Sequence, residues 1–302
     1  FFFFLLGSGS AVPTSWHNPS SQIVHYMGKQ FLIDCGEGTQ MQFIKYKVKT
    51  KNLDHIFISH LHGDHFYGLI GLINSFHLMR REKPLYIYAS KELKGLIDFH
   101  LEVTNTALNY RIVFNFLEDE QDNPLYEDKY LTITSFPLKH SIAVWGFLIR
   151  EKMGRRRLNK TFVKNYNPTP EDIVLIIGGG DFTTPDGKVL KHMDITLPPH
   201  KQRSFAYCSD TAFLESTSEH AKGVDLLYHE STFDNSNQAL AEQTLHSTAA
   251  QAAMVAKKAG AEKLLIGHYS ARYKDLEALL AEAQEVFPKS YLSEEGITYE
   301  IK

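Results

Sequence analysis

The sequence predicts a mixed α/β fold in which sheets and helices are layered. Three observations carry this expectation. Apolar, β-branched runs of strand length recur along the whole chain. Runs with helical spacing follow such strands in both halves. Between one strand-like run and one helix-like run sits His60-Leu61-His62-Gly63-Asp64-His65, three imidazoles and a carboxylate in six residues.

The elements follow in order. Residues 1–6, Phe1-Phe2-Phe3-Phe4-Leu5-Leu6, are apolar but far shorter than a membrane span, and Gly7-Ser8-Gly9-Ser10 comes next. A first buried strand is expected there, rather than a leader or an anchor. Further strands are expected at residues 21–26, 30–33, 55–59, 84–89, 111–116, 130–136 and 144–149, then at 204–208, 226–228, 263–266 and 297–301. Helices are expected at residues 66–79, 92–106, 247–259 and 275–287. The third is Ala-rich and stops at Gly260; the fourth has Asp275 as its N-cap and stops before Pro288. Between residues 150 and 200 the periodicity fades. Pro168, Pro170, Pro185, Pro198, Pro199 and Gly178-Gly179-Gly180 punctuate that stretch. Its opening, residues 150–164, carries seven basic residues against one acid and includes Arg155, Arg156 and Arg157. An inserted arm fits this length and position better than a solvated hairpin.

Composition bounds what the chain can do. It has 302 residues with 43% hydrophobic content, enough for one large core or two modest ones. The net charge of −3 gives no global attraction for nucleic acid, so any such attraction must be local. Cys35 and Cys208 stand alone, without a CxxC pair, as expected of buried thiols in a reducing cytoplasm. No stretch approaches membrane-spanning length.

The chemistry is expected at the carboxyl ends of the strands. Imidazole and carboxylate without thiolate suit zinc or a similar divalent ion. In a tight loop His60 and His62 can reach one metal, while Asp64 and His65 fall toward a second position at the helix start. Each position needs further ligands, and each should be a His or Asp just after an apolar strand. His140, Asp210 and His268 fit, and so does Asp34. The expected assembly sets His60, His62 and His140 around one metal and Asp64, His65 and His268 around the other, with Asp210 as the bridge. Asp34 reads either as an outer acceptor for a ring N–H or as a cap for the Gly36-Glu37-Gly38 turn. His25, His55, His77, His100 and His220 read as packing or surface residues.

With these residues in place, the sequence resembles the metallo-β-lactamase superfamily and, within it, the ribonuclease Z family. The resemblance rests on Leu6-Gly7-Ser8-Gly9-Ser10, Asp34-Cys35-Gly36-Glu37-Gly38-Thr39-Gln40, the stretch 59–68, and Ser209-Asp210-Thr211. It extends to His229-Glu230-Ser231-Thr232-Phe233, His246-Ser247-Thr248 and Gly267-His268-Tyr269-Ser270-Ala271-Arg272-Tyr273. It implies one metallo-β-lactamase-like domain over residues 1–302, a four-layer αββα sandwich, with a protruding substrate-binding arm inserted at 150–200. It also implies two zinc ions per chain (other divalent ions being admissible), a homodimer, and removal of the 3′ trailer from precursor tRNA in the cytoplasm, away from any membrane. Asp64 would accept a proton from the attacking water, and His246, oriented by Glu230, would protonate the leaving oxygen. Ser270 and Arg272 would hold phosphate, and Arg155, Arg156 and Arg157 would meet the RNA. Two departures stand out. The loop Pro13-Thr14-Ser15-Trp16-His17-Asn18 lacks the basic residue that family members carry before the Asn, and the arm has Gly178-Gly179-Gly180 in place of a Gly-Pro turn. The rival reading is a small-molecule hydrolase, of thioesters, esters or phosphodiesters, on the same fold. A metal-free RNA-binding subunit is the non-enzymatic rival.

Overall fold

A computed structural model describes residues 1–119 and 123–302 of the chain. They fall into two compact units. The larger comprises residues 1–127, 132–149 and 203–302; the smaller comprises residues 128–131 and 150–202.

The chain runs through β1 (Phe2–Gly7), β2 (Ser21–Tyr26), β3 (Lys29–Cys35), α1 (Thr39–Lys45) and β4 (Leu53–Phe57). Next come α2 (Gly63–Leu78), β5 (Leu85–Ala89), α3 (Glu92–Val103), β6 (Ile112–Phe116), β7 (Tyr126–Glu127), β8 (Leu131–Pro137) and β9 (Trp145–Glu151). The smaller unit adds β10 (Arg157–Leu158), α4 (Lys160–Tyr166), α5 (Pro170–Ile177), β11 (Phe182–Thr183), β12 (Val189–Leu190), α6 (His192–Ile195) and β13 (Thr196–Leu197). The chain then forms β14 (Ser204–Cys208), α7 (Glu215–His220), β15 (Leu226–Glu230), α8 (Gln238–Thr244), α9 (Ala249–Ala259) and β16 (Leu264–Gly267). It closes with α10 (Glu277–Val286), β17 (Ser290–Leu292) and β18 (Thr298–Glu300).

Two seven-stranded sheets build the larger unit, one in the order β18-β1-β2-β3-β4-β5-β6 and the other β17-β16-β15-β14-β9-β8-β7. Strands β3 to β6 run parallel, as do β14 to β17. The sheets pack face to face: Phe3 meets Phe205 with ring centroids 4.7 Å apart, and Phe57 meets Phe147 at 5.4 Å. The period-2 alternation of a strand sends neighbouring side chains to opposite faces. Phe3 therefore faces the other sheet, while Leu6 and Ile23 join Leu69, Leu72 and Phe76 of α2 in an outer core. On the far side the alanines of α9, with Leu279 and Ala283 of α10, cover Ala206, Leu227, Leu264 and Ile266. Small side chains there let the helix lie close to the sheet. The result is helix, sheet, sheet, helix: the αββα layering of a metallo-β-lactamase fold.

The smaller unit is not irregular, as the fading periodicity suggests, but carries short elements around its own core of Phe162, Ile176, Phe182 and Ile195. Antiparallel pairs β10–β13 and β11–β12 are too short to show a pattern in sequence. Pro170 starts α5 instead of breaking it, because a first-turn residue needs no N–H partner, and Thr169 with Asp172 forms a capping box behind it. Gly179, at φ 101°, turns the chain away at the other end.

In the larger unit α1, β7, α7, α8 and β17 add to the expected elements. The expected strand at 55–59 stops at Phe57, since Ser59 turns aside to bind Asp34. Helix α10 begins at Glu277, and Asp275 reaches its first turn by accepting the Glu277 N–H. No helix among the described residues is long and apolar enough to cross a membrane.

Candidate metal centre

The strand ends deliver the cluster. His60 leaves the loop after β4, His62 is the N-cap residue of α2, and Asp64 and His65 lie in its first turn. Asp64 thus sits where a helix N-terminus favours negative charge. His140 follows β8, Asp210 follows β14 and His268 follows β16. Asp34 and His268 both occupy left-handed backbone, at φ 57° and 59°. Such backbone is costly for residues other than glycine and is tolerated where the surroundings fix it.

Seven side chains converge in two groups. In the first, His62 Nδ1 lies 3.1 Å from both His60 Nε2 and His140 Nε2. Asp210 Oδ2 is 3.5 Å from His60 Nε2 and 3.9 Å from His140 Nε2. In the second, His65 Nε2 and His268 Nε2 are 3.3 Å apart. Asp64 Oδ2 stands 3.5 and 3.4 Å from them, and Asp210 Oδ1 stands 3.3 and 3.2 Å away. Asp210 gives one oxygen to each group.

The outer ring nitrogens are occupied by neighbours. His140 Nδ1–H donates to the Leu245 carbonyl at 2.9 Å, which leaves Nε2 as the lone-pair nitrogen facing inward. His65 Nδ1 is 2.8 Å from Asp34 Oδ2, and His268 Nδ1 is 2.9 Å from Thr232 Oγ1. Asp34 also accepts the Ser59 N–H, the Ser59 hydroxyl and the Tyr207 hydroxyl. Its carboxylate therefore orients His65 and the loop before it, and does not cap the glycine turn.

A divalent cation fits this arrangement. Ring nitrogens face each other at hydrogen-bond distance while their second nitrogens are engaged elsewhere, and the buried Asp210 Oδ1 has two of them 3.2 and 3.3 Å away but no well-aligned hydrogen bond among the described residues. The His and carboxylate donor set without thiolate is that of zinc sites. The charges agree. Burial opposes ionisation of Asp64 and Asp210, yet the surrounding histidines hold both well below the usual carboxylate range. Burial likewise opposes a charged His65, but Asp210, Asp64 and Asp34 raise its pKa well above normal. His60, buried beside His65, goes the other way. Three carboxylates around one imidazole make a negative centre that a cation would neutralise.

Beside it lies a second pair. Glu230 is fully buried at the end of β15, and its Oε1 is 2.8 Å from His246 Nδ1. The same carboxylate accepts the N–H groups of Thr211, Thr232 and Ser247 and the Thr232 hydroxyl. Burial would lower the pKa of His246, but the Glu230 charge and hydrogen bond raise it to about 9. Thr248 caps α9 through a box with Gln251, while Ser247 instead donates its hydroxyl to the Thr211 carbonyl. His246, His62, Asp64, His140 and Asp210 line a cleft of about 670 Å³.

Ser270 and Arg272 lie on the loop after β16. Arg272 Nε reaches Ser270 Oγ at 3.1 Å and its Nη1 reaches Asn237 Oδ1 at 3.0 Å, above the Phe233 ring. Arg155, Arg156 and Arg157 belong to the smaller unit. Arg156 bonds Thr196, and Arg157 bonds the Pro198 carbonyl with His200 at 3.2 Å, so both serve that unit's own fold. Residue types alone point to the converging histidines and carboxylates but not to Ser59, Tyr207 or Thr232, whose hydroxyls are ordinary until the fold brings them to a histidine or its carboxylate.

The chain is similar to known proteins over nearly its full length. It is 43% identical over 298 residues to a ribonuclease Z of Phocaeicola vulgatus, covering 99% of this chain and 96% of the relative. It is 44% identical over 293 residues to a ribonuclease Z of Bacteroides fragilis, covering 97% and 96%. A ribonuclease Z of Porphyromonas gingivalis is 42% identical over 297 residues, covering 98% of each chain. Among solved structures, the short form of human tRNase Z superposes with a TM-score of 0.73 at 24% identity, with full coverage of both chains. A metallo-β-lactamase fold protein of Bacillus subtilis gives 0.68 at 18% identity over 99% of each. Residues 1–142 match the family described as Anti-Pycsar protein Apyc1.

Proposed function

The chain belongs to the ribonuclease Z family, and from that premise we propose that it removes the 3′ trailer of precursor tRNA by hydrolysing one phosphodiester bond, leaving a 3′-hydroxyl. The observation that carries this reading is the 42–44% identity to curated ribonucleases Z across almost all of both sequences. The chemistry of the cleft supports it. Two zinc ions, held by His60, His62 and His140 and by Asp64, His65 and His268 with Asp210 shared, would activate water and stabilise charge on the phosphoryl oxygens.

The chain's own residues do the rest. Asp64, on the cleft wall, accepts the proton of the attacking water. His246 uses Nδ1 to bond Glu230, so Nε2 is the nitrogen that protonates the leaving 3′-oxygen. Glu230 keeps that ring charged and fixed. Arg272 is held by two neutral acceptors, which leaves its charge for a phosphate, with Ser270 beside it. The smaller unit, with its basic opening, would hold the folded body of the RNA. We assign the protein to the cytoplasm and to a homodimer. Exposed Met41 and Ile44 of α1 and exposed Met79, just after α2, line a groove of about 470 Å³ that a second copy would cover.

The test is a comparison of three substrates at saturating zinc: a precursor tRNA lacking CCA, a nitrophenyl phosphodiester and a small thioester. Cleavage of the RNA and the diester is expected. Thioester hydrolysis without RNA cleavage would replace this reading with the small-molecule one.

A further inference from the structure

The loop between β1 and β2 does more than wall the cleft. Val12 N–H donates to the Ser10 carbonyl at 2.8 Å, closing a three-residue γ-turn with Ala11 at its apex. Ala11 stands there at φ 62°, left-handed backbone that a residue with a Cβ rarely adopts. The turn aims the Ala11 N–H at Asp64 Oδ2, 2.7 Å away. That oxygen is also the one facing His65 and His268. The terminal torsion of a carboxylate is soft, so nothing in Asp64 itself holds its plane at the angle that turns an oxygen toward both rings. The Ala11 amide holds it there.

The strained turn is held from behind. Glu295, on the loop between β17 and β18, accepts four donors. Its Oε1 takes the N–H of Ser8 at 3.3 Å and of Asn18 at 2.6 Å. Its Oε2 takes Asn18 Nδ2 at 2.7 Å and Gln42 Nε2 at 2.9 Å. Ser8 and Asn18 are the two stems of the loop, joined to each other by Gly9 N–H donating to the Asn18 carbonyl at 2.8 Å. Ser10 N–H and Tyr269 N–H tie the first stem to the strand exit that carries His268. One carboxylate thus locks both stems, and the locked loop offsets the cost of the γ-turn.

We propose that Glu295 is a positioning residue for phosphodiester hydrolysis: it clamps the β1–β2 loop so that the Ala11 amide fixes Asp64 Oδ2 toward His65 and His268. The inference rests on the metal-dependent phosphodiesterase reading above. Glu295 is not among the described residues that line the cleft and acts through the loop it holds. Releasing the clamp lets the γ-turn relax, and the Asp64 carboxylate then swings about its terminal torsion, out of line with His65 and His268, while His65, His268 and Asp210 keep their places.

The experiment measures kcat, KM and bound zinc together, with a nitrophenyl phosphodiester, for the wild type, Glu295→Ala, Glu295→Gln and Asn18→Ala. A misplaced catalytic group costs about 10- to 100-fold in rate, so kcat of Glu295→Ala falls by that factor. KM changes less than about three-fold and zinc per chain is unchanged, as expected of a lost orientation rather than lost binding. Glu295→Gln keeps an acceptor oxygen and lies between. Should Glu295→Ala not fold, Asn18→Ala removes one of the four bonds and must lower kcat in the same direction by a few-fold. A kcat within two-fold of wild type in the folded variants overturns the inference, and so does a loss that follows zinc content. An inactive wild type would instead overturn the phosphodiesterase reading and this inference with it.

Discussion

At the residue scale the functional weight falls on carboxylates that organise histidines. Asp34, Asp210 and Glu230 are all buried, and each is bonded to or faces at least one ring. The Glu230–His246 pair gives the sharpest expectation. Glu230→Ala and His246→Ala should each slow RNA cleavage by roughly 10²- to 10⁴-fold, the range of general acid catalysis. The double variant should be little worse than the worse single one, because the two act as a unit. A nitrophenyl phosphodiester needs no proton on its leaving group and should lose far less; equal losses on both substrates would make His246 a positioning group. The sign of the pH effect follows. An acid works only while protonated, and His246 holds its proton up to about 9. RNA cleavage should therefore fall as pH rises through that region. Glu230→Gln removes the charge that raises the pKa, so the alkaline limb should move to lower pH. The convergence of the clustered histidines with Asp210 was legible in sequence because each follows an apolar strand. The hydroxyls of Ser59, Tyr207 and Thr232 were not, since their contacts exist only once five strand ends meet.

At the element scale the long parallel strands and the helices α2, α3, α9 and α10 followed their periodicity, with ends shifted by a few residues. Ends depend on caps and local bonds, as Ser59 and Asp275 show. Elements α4, α5 and α6 escaped because helices of eight residues or fewer carry barely two turns of pattern, and Pro170 mimics a break. Their arrangement also decides which basic residues of the smaller unit can be replaced without disturbing it. Arg156 and Arg157 are tied to Thr196, Pro198 and His200, so removing them would disturb the unit itself. Arg155, Lys160 and Lys164 are exposed. Replacing these three with Ala should weaken precursor tRNA binding and reduce the slope of log affinity against log salt by roughly one for each phosphate left without its cation. Hydrolysis of a small phosphodiester should be unchanged. Unaltered tRNA affinity and salt slope would return this segment to a solvated surface.

At the scale of the whole molecule, two sheets bring the carboxyl ends of β3, β4, β8, β14, β15 and β16 to one place, and no single stretch of sequence contains the result. A mixed α/β class was foreseeable from strands preceding helices in both halves, and the four-layer αββα arrangement from the family resemblance. The order β17-β16-β15-β14-β9-β8-β7 was not, because short apolar runs do not reveal their neighbours. What the fold assembles is a centre where Asp210 offers one oxygen to each of two histidine groups that could hold a metal ion. The decisive measurement is to incubate zinc-loaded protein with a precursor tRNA lacking CCA, map the new 3′ end and its chemistry, and repeat with Asp210→Ala while counting bound metal. Wild-type protein should bind about two ions per chain and release a tRNA ending in a 3′-hydroxyl, and Asp210→Ala should lose both the metal and the cleavage. No cleavage at the trailer, a product ending in phosphate, or an Asp210→Ala variant with full metal and full activity would contradict it.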